Sequence, residues 1–288
     1  MDRLESHRKF FADLLTASVG SKNERLITAL ASTPRERFLG PGPWKIFAGG
    51  GYVITPTDDP AFLYQDVVVA LQEKDRINNG QPTLHTVCLA TLDPQAGETA
   101  IHVGAGSGYY TALLAQLTGP SGKVHAYEIE PTLAERATAN LADLPHVTVH
   151  ARSGAEGELP QCNVIYVSAG ATAPLDIWLD ALLPGGRLLF PLTPDGPGGT
   201  PAAGGMLLIT RTAPDLANKD KYDARFLLPV MFISCAGARD EETAAKLAEA
   251  FKRGDMRNVR ALYRNNTPTV DTCWCAGNRW WLSTAQNT

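Results

Sequence analysis

Apolar residues recur at three- and four-residue spacing in the first forty positions of the chain, over 6–19 and again over 23–39. This period predicts two helices. A stretch rich in Gly and Pro follows over 41–63, which predicts a loop with short extended pieces. The apolar run at 63–72 predicts a strand, and residues 82–92 predict a helix that begins with Pro82.

Between residues 99 and 192 the pattern changes, because short apolar runs alternate with helical segments. Such alternation predicts βαβ units on a parallel sheet. The predicted strands are 99–104, 123–130, 147–153, 163–170 and 186–192, and the predicted helices are 109–117, 132–144 and 175–183.

The last hundred residues predict a different arrangement. Two apolar runs, 204–212 and 224–235, predict closing strands, for which an antiparallel arrangement is one possibility, joined to the core by a flexible loop at 193–205. Residues 241–255 predict a helix, and residues 256–266 allow a second one. We therefore expect an α/β fold: a Rossmann-like, doubly wound, mostly parallel sheet with an N-terminal helical cap and a C-terminal α/β extension. The expected divisions are 1–95 for the cap and active-site loop, 96–237 for the cofactor-binding core and 238–288 for the extension.

Composition and charge limit the kinds of partner that this protein is expected to bind. The 288 residues carry a formal net charge of −4, and 19% are charged, which argues against a protein that binds nucleic acid or anionic membrane. No apolar run reaches the roughly 18 residues of a membrane span, and the charged N-terminus lacks the apolar core of a secretory signal. Three of the five cysteines lie in apolar segments, so a reducing cytoplasm is expected. Cys273 and Cys275 form a lone pair without the four ligands of structural zinc, so no metal is expected.

A glycine-rich loop is the main chemical signal. Gly104, Gly106 and Gly108 follow a predicted strand and open a predicted helix, where backbone N–H groups can approach a ligand. Glu128 ends the next strand, at the place where an acid accepts hydrogen bonds from a ribose diol. The dinucleotide fingerprint requires a third glycine where this chain has Tyr109, so S-adenosylmethionine fits better than NAD or FAD.

Several motifs in order resemble the protein-L-isoaspartate O-methyltransferase family over residues 20–235. These are the stretch 98–141 around the glycine loop, the later stretch 163–192, "PRERFL" at 34–39, "LYQD" at 63–66 and "INNGQP" at 77–82. The resemblance implies transfer of a methyl group from S-adenosylmethionine to an isoaspartyl carboxylate.

The resemblance also implies roles for particular residues. Asp66 matches an acid of the family's Tyr-x-Asp element, although a turn-capping role fits it equally well. His85 matches a His beside the cofactor in some members, although a packing role fits it equally well. The residues expected to bind S-adenosylmethionine are Ile77, Asn78, Asn79, Gly80, His85, Gly104, Gly106, Ser107, Gly108, Glu128, Ile129, Ser153 and Gly154.

Two departures from the family pattern bear on function. Gly80 stands where the family has a catalytic Ser or Thr hydroxyl near the acceptor. Ser153 stands where the family has an Asp that helps to hold the adenine end. A carboxylate acceptor is ionised at neutral pH and needs no general base. The missing hydroxyl at Gly80 therefore weakens the assignment of an isoaspartyl acceptor more than it weakens the assignment of methyl transfer.

We therefore expect an S-adenosylmethionine-dependent O-methyltransferase that acts on a carboxylate of a protein or peptide, with protein repair as the family's role. One alternative is a specialised enzyme with a different peptide acceptor. Another is a cofactor-binding protein without isoaspartyl activity, and an NAD-linked oxidoreductase is the most distant. The extension, with Trp274, Trp280 and Trp281, is expected either to pack on the sheet or to recruit substrate or a second copy.

Overall fold

The computed structural model describes residues 2–72, 77–196, 200–212 and 221–285. The α-helices in these ranges are α1 Arg3–Ser18, α2 Glu24–Ser32, α3 Glu36–Leu39, α4 Pro82–Leu92, α5 Tyr109–Thr118, α6 Pro131–Asn140, α7 Asp176–Ala181 and α8 Glu241–Arg253. The strands are β1 Lys45–Ala48, β2 Gly51–Ile54, β3 Ala70–Gln72, β4 Ile77–Asn78, β5 Thr99–Val103, β6 Lys123–Tyr127, β7 Val147–His150, β8 Cys162–Val167, β9 Leu182–Leu192, β10 Gly204–Arg211, β11 Lys221–Val230, β12 Ala261–Tyr263, β13 Cys273–Gly277 and β14 Trp280–Ser283.

The chain forms two compact units. The first contains Met1–Ala100 and Ala105–Arg152, and the second contains Ile101–Gly104 and Ser153–Thr288. Strand β5 therefore begins in the first unit and ends in the second. No helix within the described residues is long and apolar enough to cross a membrane.

The first unit begins with a helical layer, as the sequence predicts. Helix α1 packs on α2 and on α4, and it buries Phe11 and Leu15 completely or almost completely. The helix predicted over 23–39 is in fact two helices. Helix α2 ends before Pro34, whose ring disfavours a helical conformation at the preceding residue, and α3 starts again at Glu36.

Within the described residues of the first unit, extended segments form a parallel pair and two short antiparallel pairs. Strands β6 and β7 are parallel. Strands β1 and β2 form an antiparallel hairpin with Gly49 and Gly50 at its turn, both with positive φ. Strand β3 pairs with β4, so the strand predicted over 63–72 is present only at its end. Helix α4 starts at Pro82 as predicted.

The second unit contains the sheet order β13-β14-β12-β11-β10-β9-β8-β5. Strands β8 and β9 are parallel, and the pairs from β9 outward are antiparallel. The predicted closing strands β10 and β11 are confirmed. Of the loop predicted at 193–205, residues 197–199 lie outside the described residues.

The C-terminal segment continues this sheet. Helix α8 is confirmed, but the second helix allowed over 256–266 is wrong, because this stretch is a 3₁₀ turn at Met256–Asn258 followed by β12. Strand β12 pairs with β11, and β14 pairs with β12. The short apolar run of β12 satisfies its backbone by joining an existing sheet edge, which sequence periodicity alone does not reveal. The division into three parts at residues 95 and 237 stays a prediction.

Candidate active site

The glycine loop has the backbone that its sequence requires. Gly106 and Gly108 of the first unit have φ of +57° and +97°, and Gly104 of the second unit has φ of +77°. Residues with a side chain rarely adopt these angles. A Cβ on Gly108 would lie 2.9 Å from Leu141 Cδ1, and one on Gly106 would lie 3.2 Å from Leu71 Cδ1. The loop is therefore a cradle that side chains would fill.

Glu128 is fixed beside this loop. The Gly106 N–H donates to Glu128 Oε2 at 2.6 Å, and the Glu130 N–H donates to Oε1 at 2.9 Å. The side chain is only 6% exposed, and burial raises the pKa of the carboxyl above its ordinary value. Each carboxylate oxygen has a further lone pair, so the group is oriented to accept hydrogen bonds from a diol. The two acceptor oxygens of Glu128 and the glycine cradle fit the ribose part of S-adenosylmethionine.

Tyr109 fills the position at which a dinucleotide fold needs its third glycine. It is 3% exposed and packs edge-on against Phe38, with ring centroids 5.6 Å apart. Burial raises its pKa to about 12. Because a buried aromatic ring occupies this place, the close helix packing of a pyrophosphate-binding loop is absent here.

The segment predicted to line the methyl donor lies in the first unit and is closely hydrogen-bonded. The Asn79 N–H donates to Val69 O at 3.0 Å, and the Asn79 side chain accepts from the Val69 N–H at 2.8 Å. The Gly80 N–H donates to Asn78 Oδ1 at 2.9 Å. Ile77 pairs with Gln72 across the β3–β4 hairpin. The predicted contacts of these residues with a cofactor stay predictions.

Gly80 and His85 are complementary in shape. Gly80 has φ of +70°, and a Cβ on it would lie 2.0 Å from His85 Nε2. His85 is 2% exposed and stacks on Tyr110, with ring centroids 3.6 Å apart. The imidazole therefore occupies the space of the missing hydroxyl residue. This geometry favours support of the loop by His85, and its predicted contact with the cofactor stays a prediction.

Asp66 orients the same segment. Its Oδ1 accepts from the Thr83 N–H at 2.7 Å, and its Oδ2 accepts from Gln81 Nε2 at 2.8 Å. Thr83 lies in the first turn of α4, so Asp66 caps that helix from a distant part of the chain. The capping interpretation is the one that the geometry supports, and a catalytic role stays a prediction.

Arg35 is a site-building residue that the sequence motif contains but sequence reasoning did not single out. It is completely buried, and its guanidinium donates to the carbonyls of Leu63, Gln65 and Val67, while Glu36 accepts from the Tyr64 hydroxyl. The segments "PRERFL" and "LYQD" are thus in contact. No local sequence pattern identifies this network, because the burial of Arg35 and its contacts with carbonyls about 30 residues away depend on the fold.

Ser153 and Gly154 belong to the second unit. The Ser153 hydroxyl donates to Ala236 O at 3.0 Å and accepts from the Ala155 N–H at 3.1 Å. Gly154 O accepts from Trp178 Nε1 at 2.8 Å. The hydroxyl of Ser153 therefore donates its hydrogen bond to a carbonyl of the second unit. The predicted contact of Ser153 with the adenine end stays a prediction.

Two further predicted residues, Ser107 and Ile129, complete the set. Ser107 is 2% exposed, and its carbonyl accepts from Asn140 Nδ2 at 2.9 Å. Ile129 follows Glu128 and is 48% exposed, so its side chain is available to a ligand. In the described part of the chain, no group of three or more His, Cys, Asp or Glu side chains is placed to hold a metal ion.

Comparison with known proteins decides the family. A family model described as protein-L-isoaspartate(D-aspartate) O-methyltransferase matches residues 6–199, more than half of the 288 residues. The chain belongs to this family. A protein-L-isoaspartate O-methyltransferase of Aeropyrum pernix is 32% identical over 221 residues, covering 75% of this chain and 74% of that protein. One from Brucella anthropi is 28% identical over 222 residues, covering 76% of this chain and 88% of that protein.

Solved structures of the same family share the fold. A protein-L-isoaspartate O-methyltransferase structure has a TM-score of 0.62 at 20% identity and covers 85% of this chain and 68% of its own. A Plasmodium falciparum structure, described as a beta-aspartate methyltransferase in complex with S-adenosyl-L-homocysteine, has a TM-score of 0.59 at 18% identity, covering 80% of this chain and 98% of its own. The predicted family and the Rossmann-like α/β fold are confirmed.

Proposed function

We propose that this protein-L-isoaspartate O-methyltransferase family member is an enzyme that transfers a methyl group from S-adenosylmethionine to a carboxylate of a protein or peptide. The observation that carries the proposal is the pairing of Glu128 with the Gly106 N–H inside the glycine cradle. The family membership of residues 6–199 supports it independently. A cytoplasmic location is part of the same proposal.

Bound S-adenosylmethionine would supply the methyl group of its sulfonium to a carboxylate oxygen of the acceptor, and the neutral thioether S-adenosylhomocysteine would be the leaving group. The protein needs no general base, because the acceptor is already ionised at neutral pH. Its task is to position the two reactants in line and to exclude water. The Gly104–Gly108 loop admits the ligand, Glu128 orients the ribose, and the Ile77–Gly80 segment lines the donor.

Gly80 bears on the identity of the methyl acceptor. An isoaspartyl residue, and hence a role in protein repair, is the first candidate because the relatives carry that name. A specialised peptide carboxylate is the second candidate. It is favoured by the His85 ring, which fills the space where the family hydroxyl side chain would stand.

The test uses tritiated S-adenosylmethionine with an isoaspartyl peptide and a matched aspartyl peptide, and it measures base-labile volatile methanol. Label on the isoaspartyl peptide alone supports repair chemistry. Calorimetric binding of S-adenosylmethionine without label transfer to either peptide supports the specialised acceptor or a protein without isoaspartyl activity. No binding of S-adenosylmethionine would overturn the proposal.

A further inference from the structure

The β1–β2 hairpin carries an exposed apolar face that the proposed chemistry does not explain. Phe47 and Tyr52 are cross-strand partners, 45% and 47% exposed, and their rings meet edge-on with centroids 5.4 Å apart. Ile54 lies on the same face of the hairpin, two residues beyond Tyr52, and is 63% exposed. Exposed apolar groups that lie together on a surface mark an interaction site more often than scattered single residues do.

The opposite face of this hairpin is anchored in the first unit. Ile46 is buried in a cluster with Leu39, Trp44, Leu63 and Val69. The hairpin is therefore held by its inner face, while Phe47, Tyr52 and Ile54 point away from that cluster. Aromatic side chains on a supported strand supply contact area at small entropic cost.

A continuous set of hydrogen bonds connects the hairpin with the donor-lining segment. The Phe47 N–H donates to Val68 O at 2.8 Å, and Val69 in turn pairs with Asn79 through backbone and side chain. The Asn78 side chain, in the same segment as Asn79, accepts from the Gly80 N–H through its Oδ1. The apolar face thus adjoins the segment where the acceptor carboxylate would react.

We propose that Phe47, Tyr52 and Ile54 bind an apolar side chain of the acceptor peptide, two to four residues from the methylated residue. This inference rests on the proposed function. The separation follows from strand geometry, because β1 lies two strand spacings from the Asn79 segment, roughly 10 Å, which an extended peptide covers in about three residues.

The test compares isoaspartyl peptides that carry either Leu or Ser three residues before the acceptor and three residues after it. Binding is measured by fluorescence anisotropy with S-adenosylhomocysteine present, and methyl transfer is measured separately. The wild-type protein is expected to bind the Leu peptide roughly 10-fold more tightly than the Ser peptide, because the apolar face would remove most of one aliphatic side chain from water. The paired substitution Phe47→Ser with Ile54→Ser is expected to remove this preference and leave the affinity for S-adenosylhomocysteine unchanged.

The matched control is Phe10→Ser, which removes an exposed phenylalanine, 65% exposed, from α1. It is expected to keep the preference for Leu. Tyr52→Phe keeps the aromatic face, so we expect an unchanged dissociation constant for the Leu peptide.

The outcomes separate this inference from the proposed function. Binding that depends on Phe47 and Ile54 without methyl transfer to any peptide keeps the docking surface and overturns isoaspartyl methylation. Equal binding of the two peptides by the wild-type protein, or a Leu preference that survives the paired substitution, overturns the docking surface. Dimerisation through the hairpin, seen by sedimentation as a loss of dimer in the paired variant with no change in peptide affinity, would also overturn it.

Discussion

At the scale of single residues, Glu128 combines burial with two hydrogen bonds from backbone N–H groups. Glu128→Ala is expected to weaken S-adenosylmethionine binding by about 1–3 kcal/mol, the cost of leaving ligand hydroxyl groups unpaired. Isothermal titration calorimetry measures the difference. Glu130→Ala, which keeps the backbone N–H that contacts Glu128, is the control and is expected to bind as the wild type does.

The raised pKa of Glu128 gives this site a pH dependence with a definite sign. Since burial raises the pKa, the carboxyl takes up a proton at a higher pH than an exposed glutamate does. The protonated form accepts fewer hydrogen bonds, so affinity for S-adenosylmethionine is expected to fall as the pH falls from 7.5 towards 5. Without the ligand, the same raised pKa contributes stability at low pH that is lost as the pH rises through the folded-state pKa. A pH-independent affinity in the wild type would contradict this prediction.

Substitutions at Gly80 and His85 are expected to have non-additive effects on the free energy of unfolding. Gly80→Ser places a Cβ against His85 Nε2 and is expected to cost about 1–3 kcal/mol in the free energy of unfolding through overpacking, in addition to the strain of positive φ. Combining it with His85→Ala is expected to recover the overpacking part. Gly49→Ser is the control for strain alone, because Gly49 has φ of +63° with nothing within 4 Å of its Cβ position. Urea unfolding measures Gly80→Ser, His85→Ala, the double variant and Gly49→Ser, and strictly additive costs of the first two substitutions would contradict the argument.

At the scale of elements, Arg35 holds the chain between the 3₁₀ turn Pro60–Leu63 and β3. Arg35→Lys removes the planar set of donors that reaches three carbonyls. The substitution is expected to lower the free energy of unfolding by about 1–3 kcal/mol for each carbonyl that it leaves without a donor. Arg37→Lys is the matched control, since its contact with Asp143 is largely exposed and is worth roughly 0–1 kcal/mol. Equal destabilisation by the two variants in urea unfolding would contradict the assigned role of Arg35.

The elements also mark how far the sequence could predict this structure. Helix α4 and the alternation from β5 to β9 follow from local signals, namely Pro82 at a helix start and short apolar runs between amphipathic segments. The glycine loop and Glu128 were predictable because their residue types are required by backbone geometry and by a diol ligand. The short extended pieces predicted within 41–63 are the β1–β2 hairpin. Strand β12 and the Arg35 network depend on partners distant in the chain, so no local pattern revealed them.

At the scale of the whole chain, the C-terminal segment is built into the sheet of the second unit. Trp274 packs with Phe226 of β11 and Phe251 of α8, with centroids 5.2 and 5.1 Å from theirs, and its Nε1 donates to Gly254 O at 3.0 Å. The three tryptophans Trp274, Trp280 and Trp281 are each only 4% exposed. Buried rings of this kind stabilise a fold and leave little surface for recruiting a partner.

Trp274→Ala is accordingly expected to lower the free energy of unfolding by about 3–5 kcal/mol, the usual cost of removing a buried aromatic ring. Trp274→Phe keeps an aromatic ring and loses the hydrogen bond to Gly254, so it is expected to cost about 1 kcal/mol. Below its melting temperature, the Phe variant is expected to keep the KM for a peptide acceptor. Val270→Ser, at an 88% exposed position, is the control and should change neither quantity. Loss of packing alone lowers the folded fraction and leaves the substrate affinity of each folded molecule unchanged. A raised KM in Trp274→Phe at unchanged stability would therefore assign the extension to substrate recruitment instead.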